Sequence, residues 1–248
     1  MTLPIKVGFF SFVEVPDPSE HGAYNEWHQL DHLPSQYAIP GIAFGDRWVL
    51  TPRCRAAQLA CSDHLAPVQY VALYLMTDPI EQTLTDFVEL GHRLGNLGRF
   101  HRSRATRLFG GLQFLATYAS PDVLIAPEVL PYRPAAGVYV IVEEVDEPRT
   151  LDGWLQLTHV ARIARLLDIA GVAGISLFAT SQLYTDPGWS PGRYRITVCW
   201  LSKDPATVAH DIAGAIADNW GDDAPLHPVF AAALETIRPG EWSWFDPA

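Results

Sequence analysis

The amino-acid sequence predicts an α+β fold in which two tandem ferredoxin-like (βαββαβ) repeats lie in one chain and form an intrachain barrel. Three observations carry this. Trp27-His28-Gln29-Leu30-Asp31-His32 recurs as Trp154-Leu155-Gln156-Leu157-Thr158-His159, a shared W-x-Q-L-x-H pattern 127 positions apart. Gly41-Ile42-Ala43 answers to Gly171-Val172-Ala173, and the run Val68 to Leu75, closed by Asp78-Pro79, answers to Arg195 to Leu201, closed by Asp204-Pro205. In both copies, strand-like apolar runs alternate with segments whose apolar residues recur at helical spacing.

In the first copy, Ile5 to Val15 is rich in Val and Phe and reads as a strand. Ala23 to Tyr37 carries a helical apolar period, and Pro40-Gly41 stops it. Ala43 to Leu50 and Val68 to Met76 read as the second and third strands, Ile80 to about Leu97 as the second helix, and Leu112 to Tyr118 as the fourth strand. The second copy repeats the order: Val138 to Val145, Leu151 to Leu167, Ile175 to Leu183, Tyr194 to Leu201, Ala206 to Trp220 and Ala231 to Ile237. Residues 1–120 and 137–248 are therefore expected to be the two repeats, and 121–136, which hold the Pro-rich stretch Pro121 to Pro134, the linker. This strand order places both helices on one face of an antiparallel sheet. The bare face needs cover, and a second sheet in the same chain can supply it.

Composition narrows the function. Lys and Arg number 17 against 28 Asp and Glu, a net charge of −11, which argues against a general nucleic-acid binder. With 48% hydrophobic and 18% charged residues the chain has material for a substantial core. No apolar run approaches the ~20 residues of a membrane span, and the opening MTLPIKVGFF lacks the pattern of a signal peptide, so a cytoplasmic protein without membrane partners is expected. Cys54, Cys61 and Cys199 show no CxxC spacing, so neither a disulfide framework nor a cysteine zinc site is indicated. No GxGxxG, Walker or GxSxG pattern stands in a suitable setting, which removes nucleotide chemistry and serine hydrolysis. Exposed sheet edges or helix faces could still join two chains as a homodimer.

The strongest chemical constellation is His28, Asp31 and His32. Two histidines four apart project from one helix face, and imidazoles beside a carboxylate can move protons near neutral pH. The plainer reading packs one His against Trp27 and leaves the other in solvent. A divalent metal would need another protein ligand, and no HExxH or third His follows at a recognisable spacing. A haem could use a lone axial His such as His159, His92 or His101. The second copy keeps His159 but has Leu155 where His28 stands and Thr158 where Asp31 stands, so the first copy is expected to hold the site. Arg47 could bind a carboxylate or enolate oxygen, or could simply point out from a strand's polar face beside Val49. Tyr24, Trp27, Trp48, Tyr70, Tyr74 and Trp200 are candidate lining aromatics or plain core. Arg93, Arg99, Arg102, Arg104 and Arg107, with His92 and His101, form a local cationic patch that could take an anion or end a helix.

The run Tyr24-Asn25-x-Trp27-x-x-x-x-His32-x-Pro34, followed by Pro40-Gly41-Ile42 and Arg47-Trp48, resembles the EthD-like branch of the dimeric α+β barrel superfamily. The resemblance covers residues 5–50 well, the rest of the first copy loosely, and the second copy through Trp154 and His159. It implies the barrel architecture, a cavity, and a His at the position of His32 facing that cavity. The superfamily holds cofactor-free decarboxylases, cyclases, isomerases and monooxygenases, haem enzymes, and members without known activity, so it does not select the reaction. Three functions follow as expectations. The first is a cofactor-independent lyase or isomerase using His32 with His28 or Asp31 on a small hydrophobic organic molecule in the barrel cavity. The second is a non-catalytic small-molecule-binding protein with the same cavity. The third is a haem- or metal-dependent oxidative enzyme.

Overall fold

The computed structural model describes residues 5–156, 160–180, 190–217, 220 and 225–245. The first half runs β1 (Ile5–Glu14), α1 (His21–Trp27), a π-helical turn (His28–His32), α2 (Leu33–Gln36), β2 (Ile42–Val49), α3 (Pro52–Ala56), β3 (Ala60–Cys61), β4 (Tyr70–Thr77), α4 (Ile80–Asn96) and β5 (Ala105–Ala119). The second runs β6 (Gly137–Glu144), α5 (Leu151–Gln156), α6 (Val160–Leu167), β7 (Val172–Ala179), β8 (Tyr194–Leu201), α7 (Pro205–Ile216) and β9 (His227–Thr236). Parts of three expected elements, at 157–159, 181–183 and 218–219, lie outside the described residues, as does His159.

The strands order as β2-β4-β1-β5-β7-β8-β6-β9, and β2 pairs again with β9, through Trp48 opposite Thr236 and Val49 opposite Glu235. Eight antiparallel strands thus close a barrel, with short β3 added outside on β9. Leaving β3 aside, each half has the order fourth, first, third, second, as a ferredoxin-like sheet requires. The seams β5–β7 and β9–β2 each join the last strand of one half to the second strand of the other. Closure removes the edges that two separate sheets would expose.

The interior is packed rather than hollow. Phe10, Phe12, Leu73 and Leu75 from the first half interdigitate with Val140, Phe178, Val198 and Trp200 from the second, all buried. Side chains of this kind contribute about 1.5–3 kcal/mol each on full burial, so the barrel is the main source of stability. At one end a cavity of about 530 Å³ remains between Leu75, Phe114 and Phe178 and the linker residues Pro127, Pro131 and Tyr132, with no histidine in its wall. The helices lie outside. Leu33 of α2 and Leu90 and Leu94 of α4 cover the outer face of the first sheet at Val7, Ala72, Tyr74 and Met76. Among the described residues no helix is long and apolar enough to cross a membrane.

Some elements differ from expectation for identifiable reasons. Thr51 caps α3 through its side chain, which accepts a hydrogen bond from Cys54 N, and Pro52 opens it; a five-residue helix shows no readable period. β5 is fifteen residues long and begins at Ala105 rather than Leu112, because Arg107 is paired with Glu14 on the adjoining strand and the ladder continues through polar positions.

Candidate active site

The site is built on the π-helical turn. Asp17 caps the preceding 3₁₀ turn, its carboxylate accepting from Ser19 N, and the chain then winds α-helically to Trp27. Pro34 has no N–H to return to the carbonyl four residues earlier, and its ring would crowd that carbonyl. The turn ahead of it widens, and Leu33 N donates to His28 O, five residues back. His28 and His32 therefore sit on one face, their ring centroids 5.1 Å apart, and His32 stacks on Trp27 at 4.7 Å.

That face looks onto the outer surface of the first sheet. Tyr24, Trp27, His28, His32 and Gln36 from the helix, Phe9, Ser11 and Val13 from β1, Ala72 and Tyr74 from β4, and Phe87 and Gly91 from α4 enclose a cavity of about 250 Å³. Phe100, Arg104, Thr106 and Phe109 complete its wall. The site thus lies between helices and sheet, and not in the barrel interior where the hollow was expected. Opposing side chains fill the middle of the barrel and the cavity at its end has no histidine in its wall, whereas the small residues Ser11, Ala72 and Gly91 leave room between helices and sheet.

Within the cavity wall four buried polar atoms have no hydrogen-bond partner among the described residues: His28 Nδ1, His32 Nδ1, Gln36 Oε1 and Tyr74 Oη. Burial holds the His28 imidazole well below its ordinary pKa, and the positive charge of Arg47 adds to this. Burial likewise lowers His32 to about 4, with Arg104 and Arg47 pushing the same way. Both rings are neutral at physiological pH and available as proton acceptors. Burial raises the Tyr74 and Tyr24 hydroxyls, so both stay protonated.

The sequence candidates divide. His28, His32, Tyr24, Trp27 and Tyr74 meet at this cavity. Asp31 does not: its carboxylate turns outward and is ion-paired with Arg99, because the helix face that carries the histidines leaves residue 31 on the flank. Trp48 and Trp200 point into the barrel, where they pack edge to face at 5.8 Å and Trp200 Nε1 donates to Ser176 Oγ. Arg47 shares a side with Val49 as expected, yet it is 1% exposed, since that outer face is roofed by helices. Its guanidinium lies 5.6 Å from the Tyr24 ring, donates Nη2 to Asn25 O, and is in no ion pair among the described residues. Sequence reading did not single out Gln36, Ser11 or Phe9, although strict alternation along β1 places Phe9, Ser11 and Val13 together.

Cofactor fit can be judged on these residues. Among the described residues no cluster of three or more His, Cys, Asp or Glu is arranged for a metal ion. Of the haem candidates, His92 is exposed on α4, His101 Nε2 lies 3.3 Å from Glu20, and His159 lies outside the described residues. The 250 Å³ cavity is smaller than the ~300–1,000 Å³ of sites for drug-sized ligands, and a haem does not fit it.

At the matching strand positions of the second half the described residues form a buried charge cluster. Strand register equates Val13, Arg47 and Tyr70 with Glu143, Leu177 and Arg195. There the fully buried Glu143 carboxylate accepts from Arg162 Nη1 at 2.7 Å, Arg195 Nη2 at 2.7 Å, Arg195 Nε at 3.1 Å and Trp220 Nε1 at 2.9 Å.

No protein-family model matches this chain, and no curated protein does. Solved structures do resemble it. A provisionally assigned chlorite dismutase superposes with a TM-score of 0.53 at 11% identity, covering 98% of this chain and 100% of that one. An anthrone oxidase-like protein gives 0.44 at 10% identity, over 95% and 92% of the two chains. A dye-decolorizing protein from V. cholerae gives 0.45 at 11% identity, over 95% of each. The fold is a dimeric α+β barrel. At such identities the likeness is one of architecture, and function has to be argued from the site.

Proposed function

We propose that the chain is a cofactor-independent enzyme that transfers protons to or from carbon in a small organic molecule, with His32 and His28 as the acid/base pair. Decarboxylation, isomerisation, elimination and cyclisation share this step. The EthD-like branch is the family reading that we attach to it, on Tyr24, Trp27, His32 and Arg47. The supporting observation is the convergence of four unpartnered buried polar atoms, two of them imidazole nitrogens, on one small aromatic cavity. Each such atom costs about 1–3 kcal/mol if left unbonded, so the site is built to receive polar groups of something bound there.

The chemistry follows from the wall. An imidazole accepts the proton of a carbon acid, electron density moves to the adjacent carbonyl oxygen, and the Tyr74 hydroxyl donates to that oxygen. An imidazole held near 4 is a weak base on its own. The oxyanion forming beside it offsets the repulsion from Arg104 and Arg47, and basicity rises as the reaction proceeds. The proton then returns to the same or a neighbouring carbon.

Phenylpyruvate is a suitable probe, because its benzylic C–H is acidic and small enough to reach the site. In D₂O, NMR should show deuterium entering that carbon faster with protein than with buffer, and His32→Ala should abolish the gain while the protein stays folded. No gain, or an equal gain with His32→Ala, refutes the enzyme reading and leaves a binding protein. An absorption spectrum of the purified protein without a Soret band is expected, and a stoichiometric haem would overturn the proposal.

A further inference from the structure

We propose that the molecule taken by the His28–His32 cavity is a small aromatic or apolar organic monoanion, whose carboxylate or enolate oxygen is received by Arg104. This rests on the reading above that the cavity is a ligand site, and adds the chemical class of the ligand.

The argument is electrostatic. The chain carries a net charge of −11, yet no Asp or Glu is among the residues that line this cavity. The cations around the start of β5 have separate fates. Arg99 is paired with Asp31 and Arg107 with Glu14. Arg104 makes no ion pair among the described residues; its Nη1 donates to Thr106 Oγ1 at 2.8 Å, and its guanidinium carbon lies 5.7 Å from the Trp27 ring and 5.0 Å from that of Phe100. Aromatic faces hold the guanidinium in place without neutralising it. Behind Tyr24, the buried Arg47 adds a second positive charge that is in no ion pair among the described residues. Two uncompensated cations beside two neutral imidazoles give a cavity of positive potential in an acidic protein. A low-dielectric, partly enclosed space strengthens that potential. The remaining wall, with Phe9, Phe87, Phe100 and Phe109, is aromatic, which sets the body of the ligand, and 250 Å³ limits it to about one ring with a short substituent.

The test pairs benzoate with its neutral near-isostere benzamide, titrated calorimetrically into the full chain at pH 8 and low salt. Benzoate should bind at least tenfold more tightly than benzamide, as expected for a charge-assisted hydrogen bond. Arg104→Gln should erase most of that ratio by weakening benzoate alone, and Arg104→Lys should restore part of it. Retained benzamide binding by Arg104→Gln shows that the cavity survives the substitution. Equal affinities in the unaltered chain, a ratio unchanged in Arg104→Gln, or no saturable binding of either compound would overturn the proposal. His32→Ala separates it from the proton-transfer reading: benzoate preference that persists where phenylpyruvate exchange never occurred keeps the ligand class and discards the catalysis.

Discussion

Glu143→Gln tests how the second half is held together. The substitution keeps shape and removes charge, leaving Arg162 and Arg195 buried against a neutral amide. Burial acting alone would raise the Glu143 carboxyl, but Arg195 and Arg162, with the Trp220 hydrogen bond, hold it down at about 2 against an ordinary 4.5. At ~1.36 kcal/mol per pKa unit this corresponds to about 3 kcal/mol, within the ~3–5 kcal/mol typical of breaking a buried pair from one side. A depressed carboxyl stabilises the fold above its unfolded-state pKa, and that stabilisation is lost as pH falls from about 4.5 towards 2. Urea unfolding followed by circular dichroism should therefore show Glu143→Gln less stable by about 3 kcal/mol at pH 7. The gap should narrow as pH is lowered towards 3. Benzoate binding in the first half should be unchanged, because the two sites share no partners. A loss below about 1 kcal/mol, or a gap independent of pH, would refute the account of the buried triad.

Three further outcomes are expected. Gly91→Leu should abolish benzoate and phenylpyruvate binding while leaving the melting temperature unchanged or raised, since a Cβ there meets nothing within 4 Å, borders the cavity, and improves helix propensity by up to ~1 kcal/mol. His32, lowered from 6.5 to about 4, disfavours protonation in the folded state, so its share of the stability lost between pH 7 and pH 5 is about 2 kcal/mol, and His32→Gln should remove that share in urea titrations while the share of His28 remains. Asp31→Asn should change stability by less than ~1 kcal/mol and leave the phenylpyruvate exchange rate intact, because the Asp31–Arg99 pair is half-exposed and outside the cavity.

Repeated order made the barrel readable in advance: the W-x-Q-L-x-H and Gly-Ile-Ala echoes place homologous strands in both halves, and chain order alone gives the ferredoxin-like sheet. The helix that carries His28 and His32 was equally legible from its apolar spacing. Where the cavity lies was not. Alternation along β2 shows that Arg47 and Trp48 face opposite ways, but which side is the filled barrel and which is the roofed outer face depends on how eight strands close, and no local pattern reports that. Trp48 and Trp200 pack in the barrel interior, away from the cavity that holds the histidines. Asp31 was misassigned for a related reason, since its partner Arg99 is remote in sequence and only the packing of α4 brings the two together. Arg104 sat within a visible cationic patch, yet its distinction from Arg99 and Arg107 is the absence of a carboxylate neighbour in space.

The asymmetry between the halves has a simple electrostatic origin. In the first, the positions register-matched to Glu143 and Arg195 are Val13 and Tyr70, so the buried Arg47 faces aromatic rings and is in no ion pair among the described residues. In the second, Leu177 replaces that arginine, and the Glu143 carboxylate pairs with both Arg162 and Arg195. A buried carboxylate that pairs with its neighbouring cations holds structure, whereas a buried cation without an ion-pair partner leaves a place for an anion. The same fold thus presents a closed pair and an open one, and introducing the missing carboxylate, as Val13→Glu, should close the first cavity to benzoate by supplying from within what the ligand otherwise brings.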